Sequence, residues 1–287
     1  MRKDMEKIIF EIIRRAETSL PRDVENKLKE AYKSEKNQLA KIQLNEILKN
    51  IKTARKNSMP ICQDTGLLSF YVSMSERAGI SPTEIENAIK NALRKATGKI
   101  PLRENLVDSI TRKPRNSNIG FREPEMHFEF VPKKGSMQIT VMPKGAGSEN
   151  VAAFTVLNPN DGEDGIKNFA IRKVKEAGAR PCPPIILGIG IGGSSEMAMK
   201  LAKFALLRPL KKKNKDKDLA KMEEKILTEI NNLGIGTMGL GGKTTCLKVS
   251  IEKADSHTAS LPVALSISCW ATRRASVEIS KDKAEFF

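Results

Sequence analysis

The four cysteines of this 287-residue chain stand far apart, at positions 62, 182, 246 and 269, and no CxxC pair occurs. This spacing excludes a compact zinc ribbon and a ferredoxin-type cluster motif, because the ligands of both lie only a few residues apart. If the chain binds a metal, the ligands must come from distant parts of one folded domain. Four cysteines in a chain of this size are more often buried or functional than paired in disulfides.

The composition is that of a globular protein with an aliphatic core, since 39% of the residues are hydrophobic and only 5% are aromatic. No run of 18 or more apolar residues occurs, so we expect no transmembrane helix. The first residues, MRKDMEK, lead into a charged amphipathic pattern, which is unlike the apolar stretch of a secretory signal. We therefore expect a cytoplasmic protein.

The net charge of +16 raises the possibility of nucleic-acid binding. Its distribution argues against that function, because lysine and arginine are spread along the chain and the densest block, residues 211–218, lies between two helical patterns. No basic stretch alternates with aromatic residues suited to base stacking. A non-catalytic nucleic-acid-binding or scaffold protein stays the alternative from a different class. A lysine-rich surface is also compatible with a dianionic substrate.

Hydrophobic periodicity predicts a mixed α+β fold. The length fits one large domain or two ordinary ones, and we expect a single domain over residues 1–287. Residues 1–58 form a helical N-terminal region, and Ser81-Pro-Thr-Glu84 has the N-cap serine, early proline and third-position glutamate that begin a helix. Further elements are a short segment near 67–72, strands near 127–131, 137–141, 184–188, 247–251 and 261–268, and helices near 163–177, before 207 and near 218–232. The strands at 127–131 and 137–141 are predicted to pair as a hairpin through residues 132–135. Residues 101–124 lack periodicity and predict a long ordered loop, which is usually functional in a compact domain.

Two glycine-rich segments resemble nucleotide-binding motifs. Residues 188–193 satisfy the GxGxxG spacing, but no strand ending in an acidic residue follows about 20 residues later, as a dinucleotide site requires. Residues 239–245, GLGGKTT, resemble a phosphate loop, but Thr237 stands where that motif needs glycine. The sequence therefore predicts neither an NAD site nor an ATPase, although a nest of backbone amides for an anion stays possible at the second segment.

Three of the four cysteines lie in polar, loop-like surroundings. Cys62 lies in MPICQDTG, Cys182 in RPCPP and Cys269 in SCWATRR, each flanked by proline, glycine or polar residues. Cys246, in TCLK, is closer to the usual buried cysteine of a core. The first three are therefore the candidates for chemistry.

Six segments taken together resemble a known family. They are PICQDTG, GAGSEN, GIGIGGSSE, LGIGTMGLGGKTT, DSHTASLPVA and CWATRRA, and they follow one another in order between about residues 50 and 280. In this order they resemble the α subunit of class I, iron–sulfur fumarate hydratases, of which tartrate dehydratase is a close relative. The resemblance implies a [4Fe-4S] cluster bound by three cysteines. These fall on Cys62, Cys182 and Cys269, and Cys246 is the spare.

The resemblance also implies roles for residues around the cluster. Its fourth iron has no protein ligand and binds the substrate's hydroxyl group and a carboxylate. Asp64 and His257 are the implied catalytic residues, Asp64 in proton transfer and His257 at the substrate. The implied substrate-binding residues are Gln63, Arg103, Gly145 and Gly147, where Arg103 pairs with a carboxylate and the two glycines present backbone amides. His127, in an alternating strand, is expected to be structural.

The implied reaction is reversible hydration of fumarate to L-malate, a step of the tricarboxylic acid cycle. Dehydration of tartrate or of another hydroxy-dicarboxylate is the alternative, since it would use the same iron and cysteines. Single-chain relatives continue into a smaller second domain with further substrate-binding cations and a base, whereas this sequence stops at Phe287. We therefore expect a separate β subunit and an α₂β₂ assembly.

Overall fold

The computed structural model describes residues 4–76, 78–132, 135–280 and 283–287. Within them, helices and strands alternate in the mixed α+β manner that the sequence predicts. In chain order they are α1 (Met5–Thr18), α2 (Arg22–Ser34), α3 (Gln38–Asn57), β1 (Leu67–Met74), α4 (Pro82–Lys99), β2 (Glu125–Phe130), β3 (Ser136–Lys144), α5 (Ala146–Glu149), β4 (Ala153–Leu157), α6 (Gly162–Ala177), β5 (Ile185–Ile191), α7 (Ser195–Ala205), α8 (Lys217–Asn232), β6 (Cys246–Lys253), β7 (Leu261–Ser268), β8 (Ala275–Ser280) and β9 (Lys283–Phe286). No helix among them is both long enough and apolar enough to cross a bilayer.

These elements are distributed over two compact units, each built from separate stretches of chain. The first unit comprises Met1–Pro21, Asn50–Ala146 and Arg273–Phe287, and the second comprises Arg22–Lys49 and Gly147–Thr272. Helices α1 to α3 confirm the helical N-terminal region. That residues 1–287 act as one cluster-binding domain stays a prediction.

The first unit is a five-stranded sheet with the strand order β2-β1-β3-β8-β9. Its apolar face packs against α1 and α4, which bury aliphatic side chains such as Ile9, Ile13, Ile85 and Ile89. The capping box predicted for α4 is present, since the Ser81 hydroxyl accepts a hydrogen bond from Glu84 N and the Glu84 carboxylate accepts one from Ser81 N.

The predicted hairpin between the strands at 127–131 and 137–141 is wrong. Strand β1 lies between β2 and β3, pairing in parallel with β2 and antiparallel with β3. The strands themselves lie where the alternation predicted them, but alternation identifies a strand and not its neighbour. Helix α4 provides the crossover that a parallel β1–β2 pair requires. Residues 133 and 134 of the proposed turn lie outside the described residues.

The second unit is a four-stranded sheet with the order β4-β7-β5-β6. Helices α6 and α8 cover one face and α7 covers the other. The GxGxxG segment, residues 188–193, begins in strand β5, and two of its glycines are explained by packing. A Cβ on Gly188 would lie 3.1 Å from Leu206 Cγ, and one on Gly190 would lie 2.9 Å from Leu201 Cβ. These glycines let α7 approach the sheet, so a dinucleotide is not needed to explain them.

Candidate active site

Cys62 lies in the first unit, on the irregular segment between α3 and β1, and is half-buried. The preceding residue is hydrogen-bonded on both sides: Ile61 N donates to Glu17 O (2.9 Å), and Ile61 O accepts from Asn50 Nδ2 (2.9 Å). Glu17 is the penultimate residue of α1, where carbonyl groups lack a partner within the helix. The backbone beside Cys62 thus gives the Glu17 carbonyl at the end of α1 a hydrogen-bond partner, and the same bond ties this backbone to α1.

The carboxylate of Asp64 is oriented by three N–H donors. Oδ1 accepts from Gly66 N (2.9 Å) and from the Asn105 side-chain amide (2.9 Å), and Oδ2 accepts from Ala146 N (2.8 Å). Gly145 allows this approach, because a Cβ there would lie 2.8 Å from Asp64 Oδ2. Each carboxylate oxygen has two lone pairs, so one acceptor position is left on Oδ2.

Gln63 and Arg103 are exposed in the same unit. Arg103 belongs to the segment that the sequence predicted as a long loop, which is irregular except for isolated bridges such as Val107 with Pro114. Two residues after Arg103, Asn105 bonds to Asp64, so this segment contacts the cysteine segment directly.

A buried ion pair also contacts the cysteine segment. Glu17 is 0% and Arg273 is 2% exposed, and Arg273 Nη1 lies 2.5 Å from Glu17 Oε2. Arg273 Nη2 donates to the Asp64 carbonyl at 2.9 Å. Burial raises the pKa of Glu17 to about 7, against the lowering effect of Arg273.

Cys182 and Cys269 lie in the second unit, at the same end of its two central strands, β5 and β7. Cys182 stands three residues before β5, and Cys269 directly follows β7, which is antiparallel to β5. Their segments touch, because Trp270 N donates to Cys182 O (3.2 Å). Cys182 has a positive φ of 51°, a conformation uncommon for residues other than glycine.

Two neighbours fix these cysteine segments. The buried Thr272 hydroxyl donates to the Cys269 carbonyl at 2.7 Å, which closes the turn after β7. Gly147 packs against the segment before Cys182, since a Cβ on Gly147 would lie 2.9 Å from Arg180 O. Gly147, the second predicted glycine, therefore contacts a residue that stands two positions before the predicted ligand Cys182.

His257 lies at the opposite end of these two strands. It belongs to the exposed loop between β6 and β7, beside the end of β5, where Gly193 N donates to Asp255 O (3.0 Å). The eight residues of β7 separate this loop from Cys269. At strand geometry that is about 25 Å. The structure therefore does not bring His257 together with Cys182 and Cys269 of its own chain.

The remaining cysteine and histidine occupy structural positions. Cys246 begins β6, is 2% exposed, and donates through Sγ to Lys248 O (3.2 Å). Burial raises the pKa of its thiol to about 12. His127, in β2, stacks on the Tyr71 ring with centroids 4.9 Å apart.

In the segment that resembles a phosphate loop, the backbone amide of Lys243 binds a carboxylate of the chain itself. Lys243 N donates to Glu35 Oε2 at 2.9 Å, and Gly242 lies close enough that a Cβ there would meet the same oxygen at 2.7 Å. Glu35 Oε1 accepts from Lys36 N and Asn37 N, each at 2.9 Å. Glu35 is 3% exposed, and both of its carboxylate oxygens accept backbone N–H bonds.

Comparison with known proteins identifies the family. A family model described as "Fumarate hydratase (Fumerase)" matches residues 6–278. The chain belongs to this family. It is 45% identical over 277 residues to a Methanocaldococcus jannaschii protein provisionally named L(+)-tartrate dehydratase subunit alpha, covering 96% of this chain and 97% of that one. It is 32% identical over 265 residues to the L(+)-tartrate dehydratase subunit alpha of Escherichia coli K12, covering 92% and 87%.

The fumarate hydratase family consists of hydro-lyases, and the thiols of this chain suit the iron–sulfur cluster that the resemblance implies. None of the four cysteines forms a disulfide bond, and Cys62, Cys182 and Cys269 are partly exposed whereas Cys246 is buried. Thiolates are the usual ligands of such clusters. Among the residues that the structure describes, no three His, Cys, Asp or Glu side chains are grouped to hold a metal ion. The three thiols therefore fit a cluster by the chemistry of their donor atoms and not by an observed grouping, and the ligand assignment stays a prediction.

Sequence reasoning missed four residues that hold this family's motifs in place: Glu17, Asn105, Thr272 and Arg273. Glu17 had a visible signal, because it follows Ala16 on the apolar stripe of α1, where a carboxylate needs a partner. Thr272 and Arg273 stood inside the CWATRRA segment and Asn105 inside the predicted loop 101–124, but only the structure shows their hydrogen bonds.

Proposed function

We propose that this chain is the cluster-binding α subunit of a hydro-lyase that interconverts fumarate and L-malate. Family membership over residues 6–278 carries the proposal. The meeting of the Cys182 and Cys269 segments at the same end of β5 and β7 supports it, because two of the three proposed ligands then share one site.

In this proposal, Cys62, Cys182 and Cys269 hold a [4Fe-4S] cluster. When bound, the cluster supplies an iron with an open position, a Lewis acid for the substrate's hydroxyl group and one carboxylate. A fourth cysteine ligand would close that position, and the burial of Cys246 is consistent with its exclusion from the set. Because an open iron is exposed to oxidants, a reducing compartment suits the protein, and the cytoplasm stays the proposed location.

Asp64 is the proposed proton-transfer group of this chain. Its Oδ1 is fully used by Gly66 and Asn105, so a proton would be held or passed at Oδ2. Three N–H donors fix the carboxylate plane, which lets a proton move without reorienting the side chain. Gln63 and Arg103 are exposed and able to bind substrate, and Arg103 has the planar fork that matches a carboxylate.

The proposed roles of the glycines follow from their close contacts. Gly145 and Gly147 approach Asp64 and Arg180, positions where any larger residue would collide. Gly145 therefore lies beside Asp64, and Gly147 lies beside the residue two positions before Cys182. In the proposal, the amides of these glycines face the substrate.

His257 takes a different place in the proposal. A small dicarboxylate cannot touch His257 and the Cys269 segment of one chain, because about 25 Å of strand separates them. His257 would instead reach a substrate held by the second α chain of an α₂β₂ assembly. In a closed symmetric dimer of α chains, each copy would then give one histidine and receive one.

The relatives supply a second candidate substrate. Both curated relatives described above are named L(+)-tartrate dehydratase subunit alpha, and the family model is named for fumarate hydratase. L(+)-tartrate is therefore proposed as the alternative substrate, on the same apparatus. The word "subunit" in these names supports a separate β subunit, which would supply the remaining cations and the facing base.

The deciding experiment is anaerobic reconstitution followed by activity assays. The chain with its β subunit should bind about four irons and dehydrate L-malate or L(+)-tartrate. The larger kcat/KM identifies the substrate. Air should remove activity, and ferrous iron with a reductant should restore it. Activity that survives complete iron removal would overturn the proposal.

A further inference from the structure

The ion pair between Glu17 and Arg273 has no role in the proposed chemistry, yet both of its side chains are almost fully buried. Its side chains are 0% and 2% exposed. Burying a charged pair costs desolvation energy, and an apolar pair of similar volume is often as stable or more so. The position of the pair therefore calls for an explanation beyond stability.

The two residues bond to the backbone on both sides of Cys62. Glu17 O accepts from Ile61 N, one residue before Cys62, and Arg273 Nη2 donates to Asp64 O, two residues after it. Both bonds are 2.9 Å. Because Arg273 also bonds to Glu17, the segment 61–64 is closed into a ring of hydrogen bonds with α1.

The geometry requires arginine. A planar guanidinium directs Nη1 to a carboxylate and Nη2 to a carbonyl at the same time, whereas a lysine ammonium is a point charge without a fixed fork. We propose that the Glu17–Arg273 pair is a positioning device that fixes the backbone around Cys62 and Asp64 for cluster and substrate binding. This inference rests on the proposed function.

The second unit contains a matched control. Arg208 Nη2 lies 2.7 Å from Glu223 Oε1, with side-chain exposures of 9% and 4%, and also donates to Ile251 O at 2.9 Å. This pair also joins a buried carboxylate and one backbone carbonyl, here through Nη2 alone, and it holds strand β6. Arg208→Lys therefore measures the cost of weakening such a pair away from the cysteine segments.

The test compares Arg273→Lys, the apolar double variant Glu17→Met with Arg273→Met, and Arg208→Lys. Amide hydrogen exchange of residues 61–66 is measured on the full chain without cluster, with thermal midpoints and with iron content after anaerobic reconstitution. We expect Arg273→Lys and the double variant to speed exchange at 61–66 by about tenfold and to lower iron content. Arg208→Lys should lower the thermal midpoint and leave the exchange rate at residues 61–66 and the iron content at wild-type values.

The outcomes separate positioning from stability and from the proposed function. The double variant should keep a thermal midpoint near that of wild type, and if it does not fold, Arg273→Lys alone decides. Two results would overturn the inference. The first is an exchange rate at residues 61–66 of Arg273→Lys within about twofold of the wild-type rate, and the second is an acceleration in Arg208→Lys equal to that in Arg273→Lys. Wild-type chain that takes up no iron would defeat the proposed function, and the exchange comparison would still judge the pair.

Discussion

The side-chain amide of Asn105 donates a hydrogen bond of 2.9 Å to Asp64 Oδ1, across 41 residues of sequence. With Gly66 N on the same oxygen, this bond leaves only Oδ2 of Asp64 with an acceptor position. The proposed proton-transfer atom is thereby selected by a residue in the long irregular segment. Five predictions follow from this and the other contacts of the site.

Replacing Asp64 with Asn should keep iron binding and lower turnover by about 10²-fold or more, since the proton-accepting oxygen is lost. The matched control is Asp108→Asn. The Asp108 carboxylate also accepts backbone N–H bonds, from Ile110 and Thr111, but contacts none of the proposed site residues. Steady-state kinetics with iron analysis distinguish the two. Unchanged kcat in Asp64→Asn would remove Asp64 from the chemistry.

The four cysteines should differ in alkylation of the chain without cluster. Iodoacetamide should modify Cys62, Cys182 and Cys269, which are partly exposed, whereas Cys246 should react only after unfolding. The buried Cys246 thiol has a pKa raised to about 12, so almost no thiolate is present near neutral pH. Peptide mass spectrometry gives the labelling of each site.

Serine at 62, 182 or 269 should abolish stable cluster binding and Cys246→Ser should not; equal loss of cluster binding in all four variants would refute the ligand set.

Stability of the chain without cluster should fall as pH rises through neutrality. Burial raises the pKa of Glu17 from 4.5 to about 7, so the native state holds this proton more tightly than the unfolded state does. The resulting stabilisation is complete below pH 4.5 and is lost as pH rises through about 7, a change of a few kcal/mol at most. Urea unfolding of wild type and Glu17→Gln across this range measures it. Parallel pH profiles in the two proteins would contradict the assignment to Glu17.

The chain with its cluster, but without a β subunit, should be close to inactive. A dianionic substrate needs cations at both carboxylates and a base facing the cluster, and the proposal places part of both on the partner. Holding the two halves around the substrate can contribute about 7–11 kcal/mol to lowering the barrier. Anaerobic assays before and after adding the β subunit test this. Full activity beforehand would show that this chain suffices.

The placement of His257 predicts complementation between inactive variants. His257→Asn and Cys269→Ser should each lose most activity, while random mixed assembly of the two α chains with β subunits should recover roughly a quarter of it. One site in each mixed pair would then combine an intact cysteine set with an intact histidine. Co-purification with two tags isolates the mixed species. No recovery in that species would assign His257 to a role outside the substrate site.

Much of the fold could be predicted from periodicity and capping, because both are local. The box at Ser81 and Glu84 and the strand Leu261–Ser268 appear where the sequence indicated them. Strand neighbours depend on long-range packing, and the pairing of β1 with both β2 and β3 could not be read from alternation.

The site shows the same division. Motif resemblance selects candidate residues, but it is silent on the distance between them. The length of the predicted strand Leu261–Ser268 already separates His257 from Cys269, but the meeting of the Cys182 and Cys269 segments needed the antiparallel pairing of β5 with β7. The partner of Glu17 could not be predicted either, because Arg273 lies 256 residues away along the chain.

The backbone amide of Lys243 already binds an anion that is covalently part of the protein, the Glu35 carboxylate. A phosphate group that entered the GLGGKTT segment would first have to displace this tethered carboxylate, which never diffuses away from the amide that it occupies. Glu35 therefore acts as a built-in competitor for anions at a segment that looks, in sequence, like a phosphate loop.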